Sequence, residues 1–98
     1  MAFKIIVSPK AQTEIEDAID YYSRFSKYAP INFIKSLLRT YRNLENGPYF
    51  KIQYRNIRAI KLYKFPYSLY FEIDENEKVV AVLSCFHNKR NPKNLPGI

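Results

Sequence analysis

The side chain best suited to proton transfer in this sequence is His87, its single histidine. An ordinary pKa of about 6.5 would let the imidazole give or take a proton at neutral pH. The ring follows an apolar run, so it could equally close a strand by hydrogen bonding. A catalytic base needs a second group that orients it, and the sequence leaves both interpretations of His87 open.

Two arginines could bind an anion in the same part of the molecule. Arg58 and Arg90 would converge at one end of a sheet if both flank its strands. A guanidinium holds a phosphate or a carboxylate through two parallel hydrogen bonds. Lys61 follows Arg58 on the same segment and adds positive charge. The alternative for Arg58 is structural, a contact with Glu72 across a hairpin.

Positive charge is concentrated in the middle of the chain. The 98 residues have a net charge of +7, and residues 21–64 hold ten bases beside one acid. This distribution favours a polyanion or an acidic protein as partner. Within it, Lys35, Arg39 and Arg42 form a stripe at helical spacing. The stripe either binds acidic groups or nucleic-acid backbone, or is the solvated face of a helix.

Composition excludes several kinds of site. One cysteine allows no intramolecular disulfide, two glycines form no phosphate-cradling loop, and one histidine forms no histidine metal cluster. We therefore expect no metal and no cofactor. The longest apolar run, residues 79–83, is far shorter than the roughly 20 residues that cross a bilayer. We expect no membrane partner and no signal peptide, and a reducing, cytoplasmic location.

Two helices follow from apolar periodicity and from residues that begin or end helices. Ser8 and Pro9 predict the start of a helix of about 17 residues. Pro30 predicts the start of a second helix, which ends at Asn46. The residues predicted to face the core are Ala11, Ile15, Ala18, Tyr22 and Phe25 on the first helix, and Phe33, Ile34, Leu37, Leu38, Tyr41 and Leu44 on the second.

Four strands complete the predicted order. They are residues 3–7, 54–63, 67–74 and 78–87, with a tail at 88–98. The order strand–helix–helix–strand–strand–strand predicts an α+β fold, in which a helical hairpin packs on a four-stranded, mostly antiparallel sheet. The length predicts a single domain over residues 1–98.

Four motifs in this order resemble the RelE/ParE superfamily of bacterial toxins from type II toxin–antitoxin modules, also called plasmid stabilisation proteins. The motifs are Ala11-x-x-x-Ile15 with Tyr21-Tyr22, Ile57-Arg58, Phe65-Pro66-Tyr67-Ser68-Leu69-Tyr70-Phe71, and Phe86-His87-Asn88-Lys89-Arg90-Asn91-Pro92. The resemblance covers almost the whole chain. It implies the fold described above and a protein that inhibits bacterial growth.

The resemblance implies one of two activities. ParE-type members inhibit DNA gyrase and need no bond-making residue, whereas RelE-type members cut mRNA on the ribosome. RelE-like nucleases usually carry an arginine early on the middle of the last three strands. The matching segment here, Phe65-Pro66-Tyr67-Ser68, has none. The sequence is therefore nearer the ParE type, with the ribosome-dependent endonuclease as the alternative and a non-toxic basic interaction domain as a third.

The same resemblance implies roles and partners for the basic residues. If the protein is a nuclease, the catalytic candidates are His87, Arg90 and Arg58. Candidates for binding the target or the antitoxin are Arg58, Lys61, Arg90, Lys35, Arg39 and Arg42. The expected partners are an acidic cognate antitoxin, within a toxin–antitoxin hetero-oligomer, and either gyrase or the ribosome with mRNA. The antitoxin is expected to wrap across the helical hairpin and the sheet.

Overall fold

Two helices and five strands make up the computed structural model, which describes residues 2–89. In chain order the elements are β1 (Lys4–Val7), α1 (Pro9–Ser23), α2 (Ala29–Asn46), β2 (Ile52–Tyr54), β3 (Ile57–Lys61), β4 (Tyr67–Asp74) and β5 (Val79–His87). The predicted α+β order of elements is confirmed, with one strand more than expected. The predicted tail beyond Lys89 lies outside the described residues.

The sheet has the strand order β1-β5-β4-β3-β2. β1 runs parallel to β5, and the other three pairs are antiparallel. The mostly antiparallel sheet is therefore confirmed. The helical hairpin carries the chain from β1 at one edge of the sheet to β2 at the opposite edge, and β1 lies beside the last strand.

The sheet has five strands rather than the four that the sequence predicts. The predicted strand at residues 54–63 is divided by a two-residue turn at Arg55 and Asn56. Arg55 has a φ of 53° there, which a hairpin turn requires and which is uncommon for a residue with a side chain. β2 is exposed and only three residues long, so the apolar–polar–apolar order of Ile52, Gln53 and Tyr54 is too short to be recognised as a strand.

The first helix begins as predicted. The Ser8 hydroxyl oxygen accepts a hydrogen bond from the Ala11 backbone N–H at 3.1 Å and donates one to the Leu83 carbonyl at 3.1 Å. Pro9 occupies the first turn, where its missing N–H leaves no helical bond unmade. The cap thus begins α1 and also ties that end of the helix to β5.

The core lies between the helices and one face of the sheet. Its fully buried members include Phe33, Leu44, Leu69, Phe71, Val80 and Val82. The ring of Phe33 lies 5.5 Å from Tyr22, 5.3 Å from Phe65 and 5.5 Å from Tyr67, measured between centroids. This aromatic cluster joins both helices to the start of β4.

Three residues predicted to face the core do not. Phe25 is 66% exposed because α1 ends at Ser23, before the helical period can carry it inward. Ile34 and Leu38 are 38% and 53% exposed, whereas Leu37 is buried. The hairpin packs through one side of α2, so the sheet covers only part of the wide apolar face predicted from the sequence.

A β-bulge changes which side chains of β5 face the helices. Val82 pairs with Phe71, but Ser84 pairs with Tyr70, which leaves Leu83 as an extra residue. Glu14 of α1 stabilises the bulge, because its carboxylate accepts hydrogen bonds from the Ser84 hydroxyl at 2.7 Å and the Cys85 N–H at 3.1 Å.

The bulge also determines the face on which the histidine lies. Before it, Val80 and Val82 face the helices. After it, Cys85 and His87 pair with Leu69 and Tyr67 on that same side. An unbroken strand with a two-residue period would instead place His87 on the opposite face.

Candidate functional site

Arg58 lies on β3 and is held by the backbone and by an aromatic ring. Its guanidinium donates a hydrogen bond to the Phe50 carbonyl at 2.8 Å and lies 5.7 Å from the centroid of the Tyr49 ring. Across the hairpin Arg58 pairs with Phe71 rather than with Glu72. The predicted contact of Arg58 with Glu72 is therefore wrong, because the loop before β2 supplies the partner, and the binding role of Arg58 stays a prediction.

Tyr49 extends this contact to the far end of the sheet. Its hydroxyl donates a hydrogen bond to the Glu75 carboxylate at 2.7 Å. That hydrogen bond raises the pKa of the Tyr49 phenol above its ordinary value, and burial and the charge of Glu75 act in the same direction. The chain from Arg58 through Tyr49 to Glu75 thus connects β3 with the turn after β4.

His87 ends β5 and makes two local contacts. Its Nδ1 accepts a hydrogen bond from the Lys89 backbone N–H at 3.1 Å, and its ring lies edge-to-face on Tyr67 at 5.0 Å between centroids. These contacts match the strand-closing interpretation of this residue. Its role in proton transfer stays a prediction.

The structure does not bring Arg58 and His87 together. Arg58 pairs with Phe71 on one side of β4, and His87 pairs with Tyr67 on the other. Four residues along β4 span about 13 Å and two strand spacings about 10 Å, so the two Cα atoms lie roughly 16 Å apart. Arg90, the third catalytic candidate, lies outside the described residues.

The basic residues of α2 meet the loop between β3 and β4. A cleft of about 430 Å³ lies there, lined by Asn32, Lys35, Ser36, Arg39, Tyr63, Lys64 and Phe65, and we call it the cationic cleft. Two of the three α2 residues in the predicted stripe, Lys35 and Arg39, thus share a site. Arg42 is exposed three residues further along the helix and is not among the lining residues.

Tyr63 brings two cations of the cleft close together. The Arg39 guanidinium lies 4.3 Å from the centroid of the Tyr63 ring, and the Lys64 ammonium lies 5.3 Å from it. Both distances are within the range of cation–π attraction. A guanidinium over a ring keeps the N–H groups at its edge available to an anion.

The loop that carries Tyr63 and Lys64 is fixed from both sides. The Ser36 hydroxyl of α2 donates a hydrogen bond to the Tyr63 carbonyl at 2.7 Å, and the Leu62 N–H donates one to the Tyr67 carbonyl at 2.9 Å. Leu62 itself is buried. Lys64 has a φ of 66°, a conformation that costs a residue with a side chain about 1–2 kcal/mol. These contacts hold the loop in that conformation.

Lys61 extends the positive charge onto the end of β3. It lines a second, smaller depression of about 260 Å³ with Lys64, Phe65 and Pro66. The two depressions share Lys64 and Phe65. Sequence reasoning identified Lys35, Arg39 and Lys61, but it missed Lys64 and Tyr63, whose relevance arises only where the loop meets α2.

A second feature of α2 is apolar and unburied. Ile31, Ile34 and Leu38 recur at helical spacing, are 48%, 38% and 53% exposed, and form what we call the apolar stripe. At 3.6 residues per turn, Lys35 and Arg39 lie about a quarter of a turn from the stripe, and Ile31 and Lys35 are neighbours at positions i and i+4. Exposed apolar groups that are contiguous on one helix face indicate a protein-binding surface.

The fold and these surfaces define a class of protein. It is a small basic α+β domain whose helical hairpin presents one cationic and one apolar surface. The sequence matches the ParE toxin family of type II toxin–antitoxin systems over residues 5–92. The chain belongs to this family, and it is the toxin component of such a system.

Solved toxin structures have the same fold. A chain of the chromosomal ParDE toxin–antitoxin system of P. aeruginosa superposes with a TM-score of 0.69 at 15% identity, over 88% of this chain and 96% of that one. A chain of the RelBE2 toxin–antitoxin complex of Mycobacterium tuberculosis gives 0.64 at 15% identity, over 89% and 99%. A chain of the E. coli RelBE complex gives 0.54 at 17% identity, over 91% and 100%. No curated protein sequence matches the chain.

Among residues 2–89, neither helix is long and apolar enough to cross a lipid bilayer. Within the same residues, no three or more histidine, cysteine, aspartate or glutamate side chains are grouped so that they could hold a metal ion.

Proposed function

We propose that the protein arrests bacterial growth by binding a macromolecular target, with DNA gyrase as the first candidate, and that it does so without cutting a bond. The observation that carries this proposal is the lack of an arginine at the start of β4. The segment at which the resemblance implies an arginine in RelE-like nucleases, residues 65–68, contains none, and its Tyr67 is 8% exposed and packs its ring against Phe33. The roughly 16 Å between Arg58 and His87 supports the same conclusion. The proposal places the protein in the cytoplasm with its target.

The cognate antitoxin is proposed to be acidic and to cover the helical hairpin. The net charge of +7 attracts an acidic partner. The apolar stripe supplies the exposed surface that a partner helix would bury through residues at matching spacing. A segment that orders on binding can then continue from the hairpin across the sheet.

The test is induced expression in bacteria, with separate measurements of DNA breaks and of protein synthesis. Growth arrest with DNA breaks, relieved by co-expression of the antitoxin encoded beside the toxin, is expected. Arrest with mRNA cut in ribosome-bound codons would contradict the proposal and support the endonuclease alternative. Normal growth at confirmed folded expression would support the non-toxic interaction domain.

Variants of His87 separate the two toxic mechanisms. His87→Gln keeps a hydrogen-bond acceptor for the Lys89 N–H but cannot transfer a proton, and His87→Ala removes both properties. We expect both variants to stay toxic. Loss of a general acid or base would instead lower a cleavage rate by roughly a hundred- to ten-thousandfold. Thermal melts must accompany the assay, and Arg58→Ala needs them most because it also removes the bond to Phe50.

A further inference from the structure

The cationic cleft combines several positive charges with a lining that, among residues 2–89, holds no carboxylate. Its charged members are Lys35, Arg39 and Lys64, all exposed. The remaining lining residues are neutral, and Asn32 adds an amide that can donate hydrogen bonds. Uncompensated cations at the edge of a cleft raise the local concentration of anions. The cleft is therefore built to receive negative charge.

The cleft is also largely organised before any ligand arrives. The Ser36 bond to the Tyr63 carbonyl fixes the loop against α2, and the Tyr63 ring lies close to both Arg39 and Lys64. Because these groups are already held, a ligand loses less affinity to the ordering of loops and side chains. At about 430 Å³ the cleft is within the size range of small-molecule sites, so it can accept a nucleotide unit.

The arrangement of charges favours a polymer over a single ion. Lys61 continues the cations of the cleft across the shared residues Lys64 and Phe65 to the end of β3. Cations on a helix, a loop and a strand thus line two depressions that share residues. A nucleic-acid backbone carries the matching succession of negative charges.

A protein partner fits this surface less well than it fits the neighbouring one. Stable protein interfaces need an apolar centre, with charges mainly at the rim. On α2 the exposed apolar groups are those of the apolar stripe, about a quarter of a turn away from Lys35 and Arg39. The apolar part of the cationic cleft is aromatic, from Tyr63 and Phe65, and no isoleucine, leucine or valine is among the lining residues that the structure describes.

We propose that the cationic cleft and Lys61 bind the phosphodiester backbone of a nucleic acid. DNA and RNA share this chemistry, and both candidate targets of the toxin work on nucleic acid. The inference does not depend on which of them is correct. Binding is expected to be independent of base sequence, because the cleft contacts phosphate and not base edges.

The test measures fluorescence anisotropy with labelled 20-nucleotide probes of single-stranded DNA, duplex DNA and single-stranded RNA. The test variant is Lys35→Gln/Arg39→Gln/Lys64→Gln. The control is Lys4→Gln/Lys10→Gln/Lys51→Gln, which removes three charges at exposed positions outside the cleft. Both variants thus lower the net charge of +7 equally. All substituted positions are exposed, and thermal melts check that both variants fold.

We expect the cleft variant to weaken binding about ten- to a hundredfold and the control by less than about threefold. The slope of log affinity against log salt should fall by roughly 0.7–0.9 for each phosphate contact that the cleft variant loses. Preference for the DNA or the RNA probe would identify the source of the phosphodiester. Equal weakening by both variants, no binding to any probe, or selective competition by a glutamate-rich peptide at the cleft would overturn the proposal.

Discussion

The two outer sides of α2 differ in what they can bind, although they belong to one helix. The apolar stripe offers aliphatic groups, and the cationic cleft offers positive charge on a loop fixed by Ser36. Apolar surface gives affinity to a partner that excludes water, whereas exposed cations give affinity to a polyanion even in a wet interface. Under the two proposals, the antitoxin and the nucleic acid bind to different, adjacent surfaces of α2. A third side, with Phe33, Leu37 and Leu44, holds the helix on the sheet.

The largest expected effect is the difference in stability loss between a buried and an exposed leucine of α2. Leu37 is 6% exposed and its neighbour Leu38 is 53% exposed, so the two form a matched pair of the same residue type. Leu37→Ala should lower the free energy of unfolding by about 2–5 kcal/mol because it leaves a cavity. Leu38→Ala should change it by about 0.5 kcal/mol or less. Denaturant titration measures both, and equal losses would show that the apolar stripe belongs to the core.

The second largest effect is expected on the affinity for the antitoxin. Ile34→Asp/Leu38→Asp should weaken antitoxin binding by about a hundredfold or more, because burying unpaired carboxylates against an apolar partner is costly. The cleft variant Lys35→Gln/Arg39→Gln/Lys64→Gln should weaken it by less than about tenfold, since rim charges act mainly on the association rate. Isothermal titration calorimetry gives both constants. Similar losses for the two variants would mean that one partner uses both sides of α2.

A smaller effect tests how the cleft is held. Ser36→Ala removes the 2.7 Å hydrogen bond to the Tyr63 carbonyl. It should lower the free energy of unfolding by about 0.5–1.5 kcal/mol and weaken the binding of the single-stranded DNA probe. Thr40→Ser keeps the hydroxyl that donates to the Ser36 carbonyl and is the matched control. Unchanged probe binding in a folded Ser36→Ala variant would show that the loop needs no such bond.

The smallest effect on the free energy of unfolding at neutral pH is expected for Tyr41→Phe. Burial, with a smaller contribution from Cys85, raises the pKa of Tyr41 from its ordinary 10.0 to about 12. Between these pH values the phenol ionises in the unfolded chain while it stays neutral in the folded one. The folded state then holds the extra proton, so the free energy of unfolding falls as the pH rises from 10 to 12. Tyr41→Phe should remove that part of the pH dependence in thermal melts, and an unchanged slope would argue against burial of the phenol.

Several features could be predicted because they are local. The Ser8-Pro9 start of α1 depends on a side chain reaching a backbone N–H three residues away. The strand at residues 67–74 shows an apolar alternation that matches the structure at both ends. The order of such elements, with the motifs along them, was enough to indicate the toxin family. The exposed edge strand β2 was missed because its three residues are too few to show a clear alternation and no glycine marks the turn after it.

By itself, the sequence determined the elements other than β2, their order and the concentration of positive charge, because helical and strand periods are properties of a short stretch of chain. Only the tertiary structure decided which side of each element is covered. In the folded protein, Ile34 and Leu38 are exposed to solvent. His87 lies on the helix-facing side of β5 because of the bulge that Glu14 stabilises. Lys64 lines the same cleft as Arg39. The physical reason is that burial and charge clusters depend on which surfaces meet, and residues far apart in the chain meet only when it folds.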